Sequence, residues 1–149
     1  MGAGRSAQEA LIVFQKVLLA VDGSEHSAKA VPVAADIAKK SDGEVVVFHA
    51  REFLLAKGGA YALEDVSEAT QLVDRVVAQV TEAGARACGR TVTAQEGRAA
   101  REILEEAEAQ GADAIVMGSR GHGDLAGLLL GSVAHKVIQL SHCPVVVAR

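Results

Sequence analysis

Hydrophobic and polar positions follow two alternating periods along this chain. Short and nearly unbroken apolar runs are typical of strands that are buried on both faces of a parallel sheet. A weaker alternation of polar and apolar residues is typical of an edge strand, and Pro144 suits the first position of a strand, where no ladder hydrogen bond is lost. The pattern predicts five strands, at residues 16–22, 44–50, 90–96, 113–118 and 144–148.

Between these runs the apolar residues recur every three or four positions, which indicates helices that each carry one apolar stripe. The stripe is clearest over residues 66–87 and 100–107, and a last helix is predicted over residues 132–140. The first helix is predicted to begin at Ser24 or Ser27 as its N-cap. Residues 51–61 include a Gly-Gly pair and are predicted to form a mobile loop.

Strands that alternate with helices predict one α/β domain. We expect an open, parallel, five-stranded sheet with helices on both faces, of the Rossmann- or flavodoxin-like type with strand order 3-2-1-4-5. The domain is predicted to span residues 16–149, after an N-terminal extension over residues 1–15. A chain of 149 residues is long enough to bury such a core without disulfides.

Composition narrows the possible partners and location. The formal net charge of −4 disfavours a protein that binds nucleic acid through a basic face. No apolar run approaches the roughly 20 residues of a membrane span, and the first 15 residues lack the pattern of a secretory signal. Cys88 and Cys143 have no metal-like spacing and are expected to be reduced thiols. We therefore expect a cytoplasmic protein that binds neither nucleic acid nor membranes.

The segment between the fourth strand and the last helix, residues 118–133, is rich in glycine. Glycines let the backbone approach a ligand closely, and a helix N-terminus offers unpaired N–H groups and the positive end of a dipole. Ser132 could add a hydroxyl donor at that helix start. The segment predicts a phosphate site, and the alternative is a flexible loop whose glycines only form turns.

The predicted topology also indicates where in the sheet the ligand would bind. In flavodoxin-like sheets, ligands bind at the carboxyl ends of the strands that flank the point where the strand order reverses. The first strand ends at Asp22, and the fourth ends at Met117 and Gly118. Asp22 could accept hydrogen bonds from an adenine amino group or from ribose hydroxyls, or it could serve only as an N-cap or turn residue.

Four segments resemble one known family. The spacing Gly118-x2-Gly121-x9-Gly131-Ser132 resembles the nucleotide motif of the ATP-binding branch of the universal stress protein family. Residues 17–24 and 112–121 resemble the first and fourth strands of that family, and residues 131–134 and 143–147 resemble its C-terminal end. The resemblance covers about residues 16–148.

The resemblance implies a cytoplasmic stress-response protein that binds ATP, ADP or AMP, with or without Mg²⁺ or Mn²⁺. It also implies a homodimer paired along residues 145–147 and a protein partner that the sequence does not identify. The base and ribose would be contacted by Ala20, Asp22, Ala50, Met117 and Gly118, and the phosphates by Ser119, Arg120, Gly121, His122, Gly131, Ser132 and Val133.

Three classes of function stay open on the sequence. The first is a nucleotide-binding regulator or sensor with slow or no hydrolysis, and the second is an enzyme that hydrolyses or transfers the nucleotide on the same fold. The third, a receiver-type signalling domain, is disfavoured because Asp22 stands alone and the third strand ends in Gln95-Glu96. A Walker A lysine and a nucleophile elbow are both missing from the sequence, and Asp124 is the only acid in the glycine-rich segment. Binding is therefore favoured over catalysis.

A metal site is the weakest alternative. His135 precedes His142 and Cys143 by about two helical turns, but the sequence offers no third convergent ligand. The sequence therefore predicts no metal-binding residues, and His49, at the end of an apolar strand, is interpreted as a buried histidine with satisfied hydrogen bonds.

Overall fold

A six-stranded sheet forms the centre of the computed structural model, which describes residues 13–122 and 127–149. Four helices of the described ranges cover its two faces. In chain order the elements are β1 (Lys16–Ala20), α1 (Glu25–Lys40), β2 (Glu44–Ala56), β3 (Gly59–Ala62), α2 (Val66–Glu82), β4 (Arg86–Gln95), α3 (Ala99–Gln110), β5 (Ala114–Gly118), α4 (Ser132–Leu140) and β6 (Val145–Ala148). Most of the predicted N-terminal extension lies outside the described residues.

Five of the strands are parallel and lie in the order β4-β2-β1-β5-β6. This is the predicted order 3-2-1-4-5, which is confirmed for those five strands. The central strand is β1, in which Leu18 pairs with Val46 of β2 on one side and with Ile115 of β5 on the other. The strand order therefore reverses beside β1, and the carboxyl ends of β1, β2 and β5 meet at the same edge of the sheet.

The sixth strand corrects two predictions, the mobile loop over residues 51–61 and the purely parallel sheet. β2 continues to Ala56, and the turn at Gly58 (φ 108°) and Gly59 (φ 142°) sends the chain back as β3, antiparallel to β2. Positive φ angles of this kind are readily adopted by glycine, which permits the tight reversal. Phe53 pairs with Ala62 on one side and with residue 95 of β4 on the other. β3 therefore lies on the β1 side of β2, beyond the end of β1.

The core has two layers because side chains of successive strand residues point to opposite faces. Val17 and Leu19 of β1 pack with α1 and α2, whereas Leu18 packs with Phe48, α3 and α4. Helices thus cover both faces, as predicted. Within the two described ranges, no helix is both long and apolar enough to span a bilayer.

The turn from β1 into α1 is stabilised by a series of local hydrogen bonds. The Ser27 amide donates to Oγ of the N-cap Ser24 (3.2 Å), and the Ser27 hydroxyl accepts from the Asp22 amide (3.1 Å). The Ser24 amide donates to the Asp22 carboxylate at 2.8 Å. This turn fixes the start of α1 at the carboxyl edge of the sheet, beside the end of β5.

Candidate functional site

A cavity of about 640 Å³ opens at the carboxyl ends of β1, β2, β4 and β5. Its volume falls in the range of small-molecule sites, and its position is the topological switch point where α/β sheets bind ligands. The floor is apolar and includes Phe48, Ile103 and Met117. The rim is polar, with groups from both sides of β1.

All but one of the site residues predicted from the sequence line this cavity. Those that line the cavity are Ala20, Asp22, Ala50, Met117, Gly118, Arg120, Gly121, His122, Gly131, Ser132 and Val133. Ser119 does not line it. Its side chain is buried, its amide donates to the Ala148 carbonyl (2.8 Å), and its carbonyl accepts from the Gly131 amide (2.6 Å). Ser119 therefore joins the end of β5 to β6 and to the start of α4.

Gly131 is the N-cap of α4 and has extended backbone angles, with φ −75° and ψ 167°. Its carbonyl accepts the first helical hydrogen bond, from the His135 amide at 2.9 Å. The first N–H groups of an α-helix have no intrahelical acceptor, and they carry the positive end of the helix dipole. Because Gly131, Ser132 and Val133 all line the cavity, this helix start gives the β5 side of the cavity an anion-binding character.

Two further cationic or donor side chains follow β5. Arg120 lines the cavity, and its Nη2 donates a hydrogen bond to Nε2 of His26 on α1 at 2.7 Å. His122 also lines the cavity, and its Nε2 donates to the backbone carbonyl of Asp22 at 2.9 Å. Both contacts tie the segment after β5 to the turn between β1 and α1. Asp124 lies outside the described residues.

Asp22 has a clear structural role in this turn. One carboxylate oxygen accepts the Ser24 amide, which is the turn interaction that the sequence offered as the alternative to ligand binding. The side chain still lines the cavity, and a carboxylate can accept more than one hydrogen bond. The turn therefore orients Asp22 at the edge of the cavity between the ends of β1 and β5.

Comparison with known proteins identifies the family. A family model for the universal stress protein family matches residues 14–149. The chain belongs to the universal stress protein family. A curated relative, universal stress protein YxiE of Bacillus subtilis, is 36% identical over 150 residues, which cover 92% of this chain and all of the relative.

Solved structures of the universal stress protein family share the fold. The structure of the universal stress protein from Archaeoglobus fulgidus in complex with dAMP has a TM-score of 0.70 and 26% identity, covering 93% of this chain and 100% of that chain. A universal stress protein crystallised in complex with cAMP has a TM-score of 0.71 and 25% identity, covering 92% of this chain and 98% of the other. Both comparisons span the whole α/β domain.

Sequence reasoning missed three carboxylates that line the cavity of this universal stress protein. Glu52 lies on β2, Glu64 follows β3 and Glu96 follows β4, all on the side of β1 opposite to Arg120. Burial, followed by the nearby charge of Glu96, raises the pKa of the Glu52 carboxyl above its usual value. No motif in the sequence predicts this acidic side, because the three carboxylates come together only through the pairing of β2 with β3 and with β4.

His49 links the hairpin to β1 beneath this acidic side. It is only 5% exposed, and its Nδ1 donates to the Val21 carbonyl at 2.8 Å while its Nε2 lies 2.7 Å from the Glu64 carboxylate. A carbonyl and a carboxylate oxygen both need a donor, so a proton must lie between each of these pairs of atoms. The interpretation of His49 as a satisfied buried histidine is confirmed, and Glu64 is the partner that the sequence did not reveal.

The side chains of the described ranges do not form a metal site. No group of three or more His, Cys, Asp or Glu residues in those ranges is arranged to hold a metal ion. In particular, His135 is exposed on α4, whereas His142 is exposed two residues beyond the end of that helix.

Proposed function

We propose that this chain binds an adenine nucleotide, with ATP as the principal ligand, and works as a regulator or sensor in a stress response, with slow or no hydrolysis. The observation that carries the proposal is the cluster of N–H donors and positive charge on the β5 side of the cavity. The α4 N-terminus, Arg120 and His122 lie on its β5 side, where a phosphate chain would be stabilised by N–H donors and positive charge.

The rest of the cavity suits a nucleoside. Its volume of about 640 Å³ and its apolar floor can take up a base and a ribose. Ala50 at the end of the buried part of β2 offers backbone groups to the base, and Asp22 offers a carboxylate to ribose hydroxyls. The two family members solved with dAMP and with cAMP support an adenine nucleotide as the class of ligand.

The arrangement favours binding over catalysis. Phosphoryl transfer takes its rate from positioning and from charge stabilisation by metal ions, lysines or arginines. Glu52, Glu64 and Glu96 lie across β1 from the phosphate donors, so they are poorly placed to orient a water at the phosphate chain. With no metal-holding cluster in the described ranges, Mg²⁺ or Mn²⁺ would be held mainly by the nucleotide phosphates.

Calorimetric titration of the purified chain with ATP, ADP, AMP and GTP tests the proposal, together with mass spectrometry of any nucleotide that copurifies. Ser132→Ala should weaken ATP binding by about threefold to tenfold, the loss expected for one hydrogen bond. The matched control is Ser67→Ala, because Ser67 is also an exposed serine in the first turn of a helix but does not line the cavity. The absence of any heat of binding at millimolar ATP would refute the proposal.

The alternative, an ATP-hydrolysing or nucleotide-transferring enzyme on the same fold, is tested by single-turnover hydrolysis with Mg²⁺ or Mn²⁺. A regulator should hydrolyse bound ATP far more slowly than ordinary enzymes, which turn over at about 1 per second or faster. Faster turnover that is abolished by His122→Ala or Asp124→Asn would establish the enzyme instead.

We also propose that two copies pair through β6. In the described part of the chain β6 pairs with β5 alone, and its three valines are only half-buried. An apolar edge strand of this kind is normally covered. Light scattering should give a molar mass of twice 15.4 kDa. Val146→Lys should reduce this mass to that of one chain. Val66→Lys, at an exposed valine of α2, should leave the mass of two chains unchanged. A parent protein that is monomeric at tens of micromolar would overturn the pairing.

A further inference from the structure

Arg120 is held by a residue that does not itself line the cavity. His26 occupies the second position of α1, and its Nε2 accepts the hydrogen bond from Arg120 Nη2 at 2.7 Å, across 94 residues of sequence. Arg120 lines the cavity on its donor side, whereas His26 is set behind it. The contact therefore connects the first turn of α1 to the Arg120 side chain, which is proposed to bind phosphate.

The geometry determines which nitrogen of His26 carries the proton. A guanidinium has five N–H donors, has no acceptor and stays protonated, so Nε2 must offer its lone pair. The imidazole is then neutral with its proton on Nδ1. Nδ1 is buried and finds no hydrogen-bond partner among the described residues.

The backbone keeps the two side chains together. A Cβ built on Gly118 would lie 2.6 Å from the carbonyl carbon of His26 and 2.7 Å from the Ser27 amide nitrogen, so β5 and α1 approach as closely as a residue without a side chain allows. Arg120 follows Gly118 by two residues. The start of α1 is also fixed by its N-cap, Ser24. The backbone of His26 is therefore held at a fixed distance from the segment after β5.

We infer that His26 is the positioning residue for Arg120 in phosphate binding. Its Nε2 engages one guanidinium N–H and leaves the remaining donors for the ligand, which lowers the entropy that Arg120 loses when a phosphate binds. This inference rests on the proposed nucleotide binding. It concerns the phosphates alone, so it predicts no effect of His26 on the binding of adenosine.

The experiment measures the affinities of adenosine, AMP, ADP and ATP for the parent chain and for His26→Leu, His26→Gln and Arg120→Met. His26→Leu should weaken ATP and ADP by about threefold to tenfold, as for one hydrogen bond, and leave adenosine unchanged. His26→Gln, whose amide oxygen can replace Nε2 as acceptor, should restore most of the affinity. His26→Leu combined with Arg120→Met should bind no more weakly than Arg120→Met alone. His135→Leu, at an exposed histidine of α4 outside the cavity lining, is the control.

Three results would overturn the inference: unchanged ATP affinity in His26→Leu, an equal loss for adenosine and ATP, or no recovery in His26→Gln. A parent chain that binds none of the four ligands refutes the proposed function itself. Nitrogen NMR of the free protein tests the contact without any ligand. It should show His26 protonated on Nδ1 with Nε2 as an acceptor, and Arg120→Met should change the Nε2 resonance. A His26 that is insensitive to Arg120→Met would refute the anchoring.

Discussion

Gly118→Ala tests how closely the end of β5 approaches α1. The added methyl group would lie 2.6 Å and 2.7 Å from the carbonyl carbon and oxygen of His26 and 2.7 Å from the Ser27 amide nitrogen. These are backbone atoms of a capped helix, so no rotamer change can relieve the contact, and α1 must move away from the sheet. Overpacking of this kind costs about 1–3 kcal/mol. For a chain of this size that corresponds to a fall in melting temperature of roughly 2–12 °C.

Gly43→Ala is the matched control. A Cβ at Gly43 would also meet backbone atoms, including the Gln15 carbonyl oxygen at 2.9 Å, but Gly43 lies just before the amino end of β2, far from the cavity. Both variants should melt at lower temperature in calorimetry. Only Gly118→Ala should weaken ATP, by at least about threefold, because it separates Arg120 from its acceptor. A melting temperature within 1 °C of the parent, or an equal ATP defect in Gly43→Ala, would refute this reasoning.

Three further substitutions test the charges described above. The Cys88 thiol, followed by Lys16, lowers the pKa of the Glu44 carboxyl, so Glu44→Gln should destabilise the fold at about pH 7, and the difference should vanish as pH falls through the carboxyl range. Glu52 has a raised pKa, so its ionisation opposes folding as pH rises, and Glu52→Gln should stabilise slightly at about pH 7 but not at about pH 4. Urea unfolding at a series of pH values measures the free energy of unfolding of both variants. Equal pH profiles for Glu44→Gln and Glu52→Gln would contradict the opposite directions of the two pKa shifts. His49→Phe leaves the buried Val21 carbonyl without its donor and the half-buried Glu64 carboxylate without its partner, and should cost about 1–3 kcal/mol in the same assay; a loss below about 0.5 kcal/mol would refute the paired arrangement.

β1, the first part of β2 and β5 could be predicted because burial on both faces leaves apolar runs such as residues 16–20 and 44–48. Their order was expected from the flavodoxin-like fold type, and eleven of the cavity-lining residues were expected from the resemblance to the universal stress protein family. β3 could not be predicted in this way. All four of its residues are exposed, so it has no apolar face that would mark it as a strand.

The remaining site residues depend on contacts that no local pattern encodes. His26 meets Arg120 across 94 residues, because α1 begins beside the end of β5. Glu64 reaches His49 only because the hairpin returns the chain to β2. Ser119 shows the opposite error: it belongs to the motif by its spacing, but its side chain is buried instead of reaching the cavity.

The two edges of the sheet differ in a way that bears on how far assembly can proceed. β4 is long and mostly exposed and includes Arg86 and Arg90 among mostly polar residues, whereas β6 is short and apolar. Charged residues on an edge strand discourage the addition of another sheet. Two-fold pairing through β6 would use the same strand of both copies and leave the outer edges of β4 and of the short strand β3 outside. Growth would then stop at a closed pair, and the chain would resist forming fibres even at high concentration.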